Sequence, residues 1–431
     1  MLPLRPGEEV RRRWSARLLG QDEAAARVRA IVAAVRREGQ AALERYTREL
    51  DGVDLKTAGF QVTEEEIAAA HKAVSSSLQA AIIKARDNIT AYHRRELKGS
   101  WMETDASGTI LGQLSRPLKR VGLYVPGGTA AYPSSVLMTA VPARVAGVAE
   151  IALATPPQRD GSLNPLLLVA AAAAGVKEIY KMGGAQAIAA LAYGTEKVAA
   201  VNKIAGPGNI YVTLAKKEVY GSVDIDMLAG PSEIVVIADN SARPEWVAAD
   251  LLSQAEHDPL AGAVLITPAA GLARVVAAAV AEQLATLPRR EIAARSLAAY
   301  GAAVVVDDIP AALELANALA PEHLELYVAD PWPWLGRVEN AGAIFLGPYS
   351  SEPLGDYLAG PSHVLPTGGT ARFYSPLSVA TFMKRSSLIA ASHAYLQAAG
   401  PLIQDLARAE GLEAHARAVA LRMTEGRHMF P

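Results

Sequence analysis

The sequence predicts an α/β protein with parallel sheets, two rather than one, a helical N-terminal segment and a helical C-terminal tail. Three observations predict it. Short apolar runs rich in β-branched residues alternate with helical stretches through the middle of the chain. These runs are too numerous for one ordinary sheet. Both ends of the chain lack them and carry helical spacing instead.

Residues 7–50 are charged and alanine-rich, with Val28, Ile31, Val32 and Val35 at helical spacing. Thr63 to Glu66 (T-E-E-E) matches a capping box, in which hydroxyl and carboxylate satisfy each other's backbone N–H groups. A further helix is expected from about Ser77 to Lys98. The strand candidates are Val121–Val125, Ile151–Thr155, Glu178–Met182, Val201–Ala205, Ile234–Ala238, Ala263–Thr267, Ala303–Asp307, Leu324–Val328 and Ala343–Leu346. Helices such as Pro165–Ala174 and Pro310–Leu319 separate them. After Pro376 the pattern predicts a helix pair, Pro401–Ala409 and Leu412–Met423, the first opened by its proline.

Composition narrows the function. Formal charge is −2 and aromatics are 6%, which argues against nucleic-acid and membrane partners. The first residues, MLPLRPGEEVRRRW, lack the apolar core of a secretory signal, and no apolar stretch nears the ~20 residues of a membrane span. A cytoplasmic protein is expected. With no cysteine, thiolate metal sites and a cysteine nucleophile are excluded.

Several segments could carry chemistry. Gln254 and His257, spaced i, i+3 in LLSQAEHDP, share one helix face near its end, and His257 could ligate a metal or simply face the helix dipole. Glu322 and His323 form an acid–base neighbour pair in a loop that enters a strand, or a plain solvated turn. Tyr349–Thr367 reads as a long loop after a strand and offers Asp356 and His363. Glu410 and His415 flank a glycine break between helices and alone mean nothing. Gly127-Gly128 follow a strand and precede a helix at Pro133, as phosphate-holding loops do, and Gly230-Pro231-Ser232-Glu233 precedes another strand as a turn would. No G-x-G-x-x-G occurs; the nearest run, GPGNIY, has Tyr211 in place of the third glycine. Spacing alone does not point to NAD.

Together, seven blocks resemble the histidinol dehydrogenase family in the right order over almost the whole chain. They are VGLYVPGGTAAYPSSVLMTAVPARVAGV, GGAQAIAALAYGT, AGPGNIYVTLAKK, DMLAGPSEIVVIAD, LLSQAEHDP, APEHLEL and GDYLAGPSHVLPT. The resemblance implies a Zn2+ site of Gln254, His257, Asp356 and His415, a set of imidazole, carboxylate and amide donors that suits zinc without thiolates. It implies Glu322 and His323 as the catalytic pair. It implies substrate contacts from Ser232, His363 and Glu410, with His323 and the four zinc ligands also at the substrate, and NAD contacts from Tyr124, Gln186 and Asn209. L-histidinol would be oxidised through histidinaldehyde to L-histidine with two NAD, the last step of histidine biosynthesis. A homodimer is implied whose tail reaches the partner's site. The resemblance also implies two Rossmann-like (incomplete) parallel-sheet domains, and the expected partition is an arm at 1–25, a discontinuous first domain at 26–118 with 234–372, a cofactor-side domain at 119–233, and the tail at 373–431. Two other readings remain open at this point: a zinc/NAD dehydrogenase of another amino alcohol, and a non-catalytic two-domain binding protein.

Overall fold

The computed structural model describes residues 2–17, 22–127 and 132–424; of the motif glycines, Gly128 lies outside them. The chain forms two compact units. The smaller joins 97–117 to the chain from Met383 onward. In it, β1 (Trp101–Thr104) runs antiparallel to β2 (Ile110–Pro117), and β2 antiparallel to β13 (Met383–Ala390). Helices His393–Ala409 and Glu413–Thr424 then pack along each other.

The larger unit holds two five-stranded sheets, each wholly parallel. The first contains β3 (Arg120–Tyr124), β4 (Glu150–Thr155), β5 (Glu178–Lys181), β6 (Lys203–Ala205) and β7 (Asp224–Ile225), in the order β5-β4-β3-β6-β7. The second contains β8 (Glu233–Ala238), β9 (Gly262–Thr267), β10 (Ala302–Val305), β11 (His323–Tyr327) and β12 (Ala343–Leu346), in the order β10-β9-β8-β11-β12. Each chain path starts at a central strand, moves to one edge and returns to the other side. In the first sheet that reversal leaves a crevice at the carboxyl ends of the strands beside the central one, where ligands of open α/β sheets settle. Strands β3, β8, β9 and β11 are buried along their whole length. Covered on both faces, Ile234–Ala238 of β8 and Ala263–Ile266 of β9 read as continuous apolar runs without alternation, whereas β11 buries His323 and Glu325 among its apolar residues.

Packing divides the N-terminal residues otherwise than expected. Helices Asp22–Glu38 and Gln40–Leu50 bury Val28, Ile31, Val32, Val35 and Leu43 in the core of the first sheet, the one expected to form the 119–233 domain alone. Residues before them go to the second sheet: Leu4 bridges Ala303, and Val10 and Trp14 join the core with Val235 and Val264. Charged amphipathic helices reveal that they have an apolar face without revealing which sheet receives it.

Two tail expectations are corrected. The first tail helix starts at His393 and continues through Pro401, which therefore does not open it. The tail is also not all helix, because β13 precedes the hairpin. Most of β13 is exposed, so it shows neither the apolar run nor the alternation that marks a strand. The Thr63–Glu66 capping box forms as expected: the hydroxyl accepts the Glu66 N–H and the Glu66 carboxylate accepts the Thr63 N–H.

Candidate active site

Strand register builds the acid–base pair. His323 pairs with Ile234 across β11 and β8, so Glu322 and Glu233 stand side by side where both strands begin. The Glu233 N–H donates to Glu322 Oε2 at 2.9 Å, and the Glu322 N–H donates to Glu233 Oε2 at 3.3 Å. His323 Nδ1 lies 2.9 Å from the Glu233 backbone oxygen. A carbonyl only accepts, so Nδ1 carries the proton and Nε2 is bare. That bare Nε2 is buried, with no hydrogen-bond partner among the described residues, and faces Glu352 Oε1 at 3.9 Å. Burial lowers the His323 pKa to about 4, keeping the ring neutral. Burial also lifts the Glu322 carboxyl well above the usual range, helped by the Glu233 carboxylate beside it.

A donor cluster adjoins this pair. Helix Pro244–Ala255 presents Gln254 in its last turn; His257 lies just beyond the helix, and its N–H donates to the Gln254 carbonyl. The expected long loop contains a short helix, Glu352–Tyr357, tied to β11 where the Glu352 N–H donates to Glu325 Oε1 at 2.9 Å. It brings Glu352 and Asp356 to His257, with ligand atoms of all three within 4.8 Å of one another. Gln254 is 1% exposed, yet its Oε1 has no hydrogen-bond partner among the described residues. An imidazole and carboxylates brought together, with an orphaned amide oxygen three residues before the imidazole, fit a divalent cation of zinc's preferences. Burial raises Glu352 to about 9, with the Asp356 charge adding to the effect. Burial pushes Asp356 the same way, but the rings of His363 and His323 outweigh it and its pKa falls to about 2. His363 is held from both sides: Nδ1 lies 3.2 Å from the Asp356 carbonyl and Nε2 lies 3.1 Å from Ser135 Oγ. Ser232 stands one residue before β8, its carbonyl accepting the Gly262 N–H.

The crevice of the first sheet is a cavity of about 800 Å³ lined by Tyr124, Gln186 and Asn209, together with Asp51, Gly127 and Thr155. Tyr124 is buried and its hydroxyl accepts the Gly184 N–H at 3.1 Å. Gln186 Nε2 donates to Asp51 Oδ2 at 3.2 Å, while Gln186 Oε1 and Thr155 Oγ1 are buried without partners among the described residues. Asn209 caps helix Ile210–Val219, accepting the N–H groups of Tyr211 and Val212. A side chain on Gly127 would collide with Pro156, 2.6 Å from the added carbon, so glycine keeps this wall open. Unpaired polar atoms around a roomy crevice fit a large polar cofactor such as a dinucleotide.

Thus the structure brings Gln254, His257, Asp356, His363, Glu322 and His323 into one neighbourhood, and Tyr124, Gln186 and Asn209 around one cavity. Glu410 and His415 belong to the smaller unit and are exposed, Glu410 just after its first helix and His415 in the first turn of its second. Sequence reasoning missed Glu233, Glu352 and Asp51. Glu233 was hidden in a turn-like G-P-S-E, and its only signal is a charge at the head of the apolar run IVVIA.

Two doubly crossed parallel sheets, one with a cofactor-sized crevice and one with a buried acid–base pair beside a metal-fitting cluster, define an α/β enzyme. The family model for histidinol dehydrogenase matches residues 16–423. The histidinol dehydrogenase of Moorella thermoacetica is 79% identical over 98% of this chain and 100% of its own. That of Bacillus subtilis is 54% identical over 94% of each. The crystal structure of histidinol dehydrogenase from Elizabethkingia anophelis superposes with a TM-score of 0.88 at 40% identity, covering 92% of this chain and 91% of that one. The chain belongs to the histidinol dehydrogenase family and is an oxidoreductase of histidine biosynthesis.

Proposed function

We propose that the protein oxidises L-histidinol to L-histidine by way of histidinaldehyde, consuming two NAD and one water, with zinc at the Gln254–His257–Asp356 cluster. The observation that carries this reading is the bare, buried Nε2 of His323 facing Glu352, which with His257 and Asp356 forms a cluster of metal-type donors. Zinc, when bound, would hold the amino and imidazole nitrogens of histidinol; NAD, when bound along the first-sheet crevice, would accept hydride.

The chain's own groups handle protons and water. In alcohol oxidation, His323 Nε2 removes the hydroxyl proton, its tautomer fixed by the Glu233 carbonyl. Aldehyde oxidation needs an added oxygen. With no cysteine in the chain, a hemithioacetal is impossible, so the aldehyde must pass through its hydrate. Glu322 is anchored through Oε2, and its other oxygen is left to activate the water. Burial makes this carboxylate a strong base when ionised, and a cation beside Asp356 would favour the ionised form. His323 then takes the hydrate's proton. Ser232 and His363 would orient substrate.

We further assign Tyr124, Gln186 and Asn209 to NAD. Glu410 and His415 would complete the site of a second copy, giving a homodimer. Their exposure on a hairpin that also exposes Leu402, Leu406 and Leu412 supports this role. No described helix is long and apolar enough to cross a membrane, consistent with the expected cytoplasmic setting. Counting NADH formed per histidinol consumed tests the overall reading.

A further inference from the structure

We propose that Glu233 is the positioning residue of the acid–base pair, clamping Glu322 and His323 together with Arg17 as its buried counter-ion. This rests on reading those two residues as the proton-handling groups.

Every polar atom of Glu233 is committed. Its backbone N–H holds Glu322 Oε2, its backbone oxygen holds His323 Nδ1, and its Oε2 accepts the Glu322 N–H. Its Oε1 accepts the Gly368 N–H at 2.9 Å and pairs with the Arg17 guanidinium. The reciprocal bonds between Glu233 and Glu322 fix which carboxyl oxygen of Glu322 is anchored, and the bond to His323 fixes which nitrogen is bare.

Arg17 is itself built in. Its Nε donates to the Trp14 carbonyl at 3.2 Å, its guanidinium lies 4.1 Å from the Trp14 ring centre, and its Nη1 reaches the Leu260 carbonyl at 3.4 Å. The approach depends on Gly262, where an added side chain would stand 2.6 Å from Trp14 and 2.7 Å from Arg17. Side-chain exposure is 1% for Arg17 and 0% for Glu233. A buried ion pair is often no more stabilising than apolar side chains of the same volume. Stability alone therefore gives little reason to bury a carboxylate and a guanidinium at the head of an apolar strand. Positioning does, because misplacement of a reacting group by about 1 Å can cost ~100-fold in rate.

Glu233→Asp is the informative substitution: it keeps the charge for Arg17 and withdraws the carboxylate by one methylene. Turnover and KM for histidinol and NAD are measured per folded chain on the zinc-loaded protein, beside Glu322→Gln and His323→Asn. We expect kcat to fall at least about tenfold with each KM within about threefold. A kcat per folded chain within twofold of the parent, whatever the melting temperature, overturns the proposal. Should Glu233→Asp not fold, Arg17→Met combined with Glu233→Gln strands no buried charge yet removes one of the two N–H acceptors. It is expected to lose kcat in the same way, and unchanged kcat overturns the clamp equally. Full turnover by both Glu322→Gln and His323→Asn would instead overturn the reading of the pair itself, a failure distinguishable from that of the clamp.

Discussion

His323 Nδ1 lies 2.9 Å from the backbone oxygen of Glu233, and this one contact decides the chemistry of the ring. It spends the N–H on a main-chain carbonyl that cannot move with a side chain. Nε2 is left as a neutral base in a buried setting. Glu322, anchored from the same residue, faces a different task.

On the proposed roles, the two groups should separate the half reactions. Alcohol oxidation needs a base but no water, whereas aldehyde oxidation needs both. Glu322→Gln keeps shape but cannot take a proton from water, so it should slow aldehyde oxidation more than alcohol oxidation. His323→Asn should slow both. Loss of a general base costs about 10²–10⁴-fold. Feeding histidinol and histidinaldehyde separately and following NADH resolves the two; equal damage to both halves by Glu322→Gln would refute its assigned role.

Gln254 should matter to metal and little to folding. Its unpaired buried oxygen is a burden of about 1–3 kcal/mol when nothing binds it. Gln254→Met should therefore leave the melting temperature of metal-free protein unchanged or higher, while zinc affinity falls. His257→Ala should likewise lose zinc without unfolding. Titration of metal-free protein with zinc, alongside thermal melts, checks both. Parental zinc affinity in Gln254→Met would remove the amide from the ligand set.

If Glu410 and His415 serve a second copy's site, defects in different chains can complement. Mixing His257→Ala with His415→Ala chains should restore one intact site per mixed dimer. Verified mixed dimers without activity would place each site within a single chain.

Asp51 gives the first-sheet crevice a pH signature. Burial raises its pKa to about 6, with the Gln186 amide opposing. The unfolded value is roughly 4, so the folded chain disfavours the ionised form. The resulting cost grows between roughly pH 4 and 6 and is complete above that. Asp51→Asn keeps an acceptor for Gln186 and removes the cost. Its melting temperature should rise relative to the parent at pH 8 and by less at pH 5; an equal change at both values would contradict the assignment.

Strands with both faces covered were legible because the continuous apolar runs 234–238 and 263–267 have no other economical place. The proposed ligands Gln254, His257 and Asp356 came from resemblance alone, since single residues in helix ends and loops carry no periodicity. Glu352 was not, because its role depends on a six-residue helix folding back to β11 through the Glu325 carboxylate. Nor was Glu233, whose buried carboxylate is paired with Arg17, 216 residues earlier. Pairings across that distance follow from topology, which local pattern does not encode. Pro401 misled for the opposite reason: a local helix-opening preference was overridden by packing of His393–Ala409 along Glu413–Thr424.

The most direct measurement is the ratio of NADH formed to histidinol consumed by zinc-loaded protein, repeated after chelation and after zinc is returned. A four-electron oxidation through a hydrate, without a cysteine, predicts two NADH for each histidinol, no turnover without metal, and recovery on adding zinc. One NADH with histidinaldehyde released, or full turnover in demonstrably metal-free protein, would contradict it.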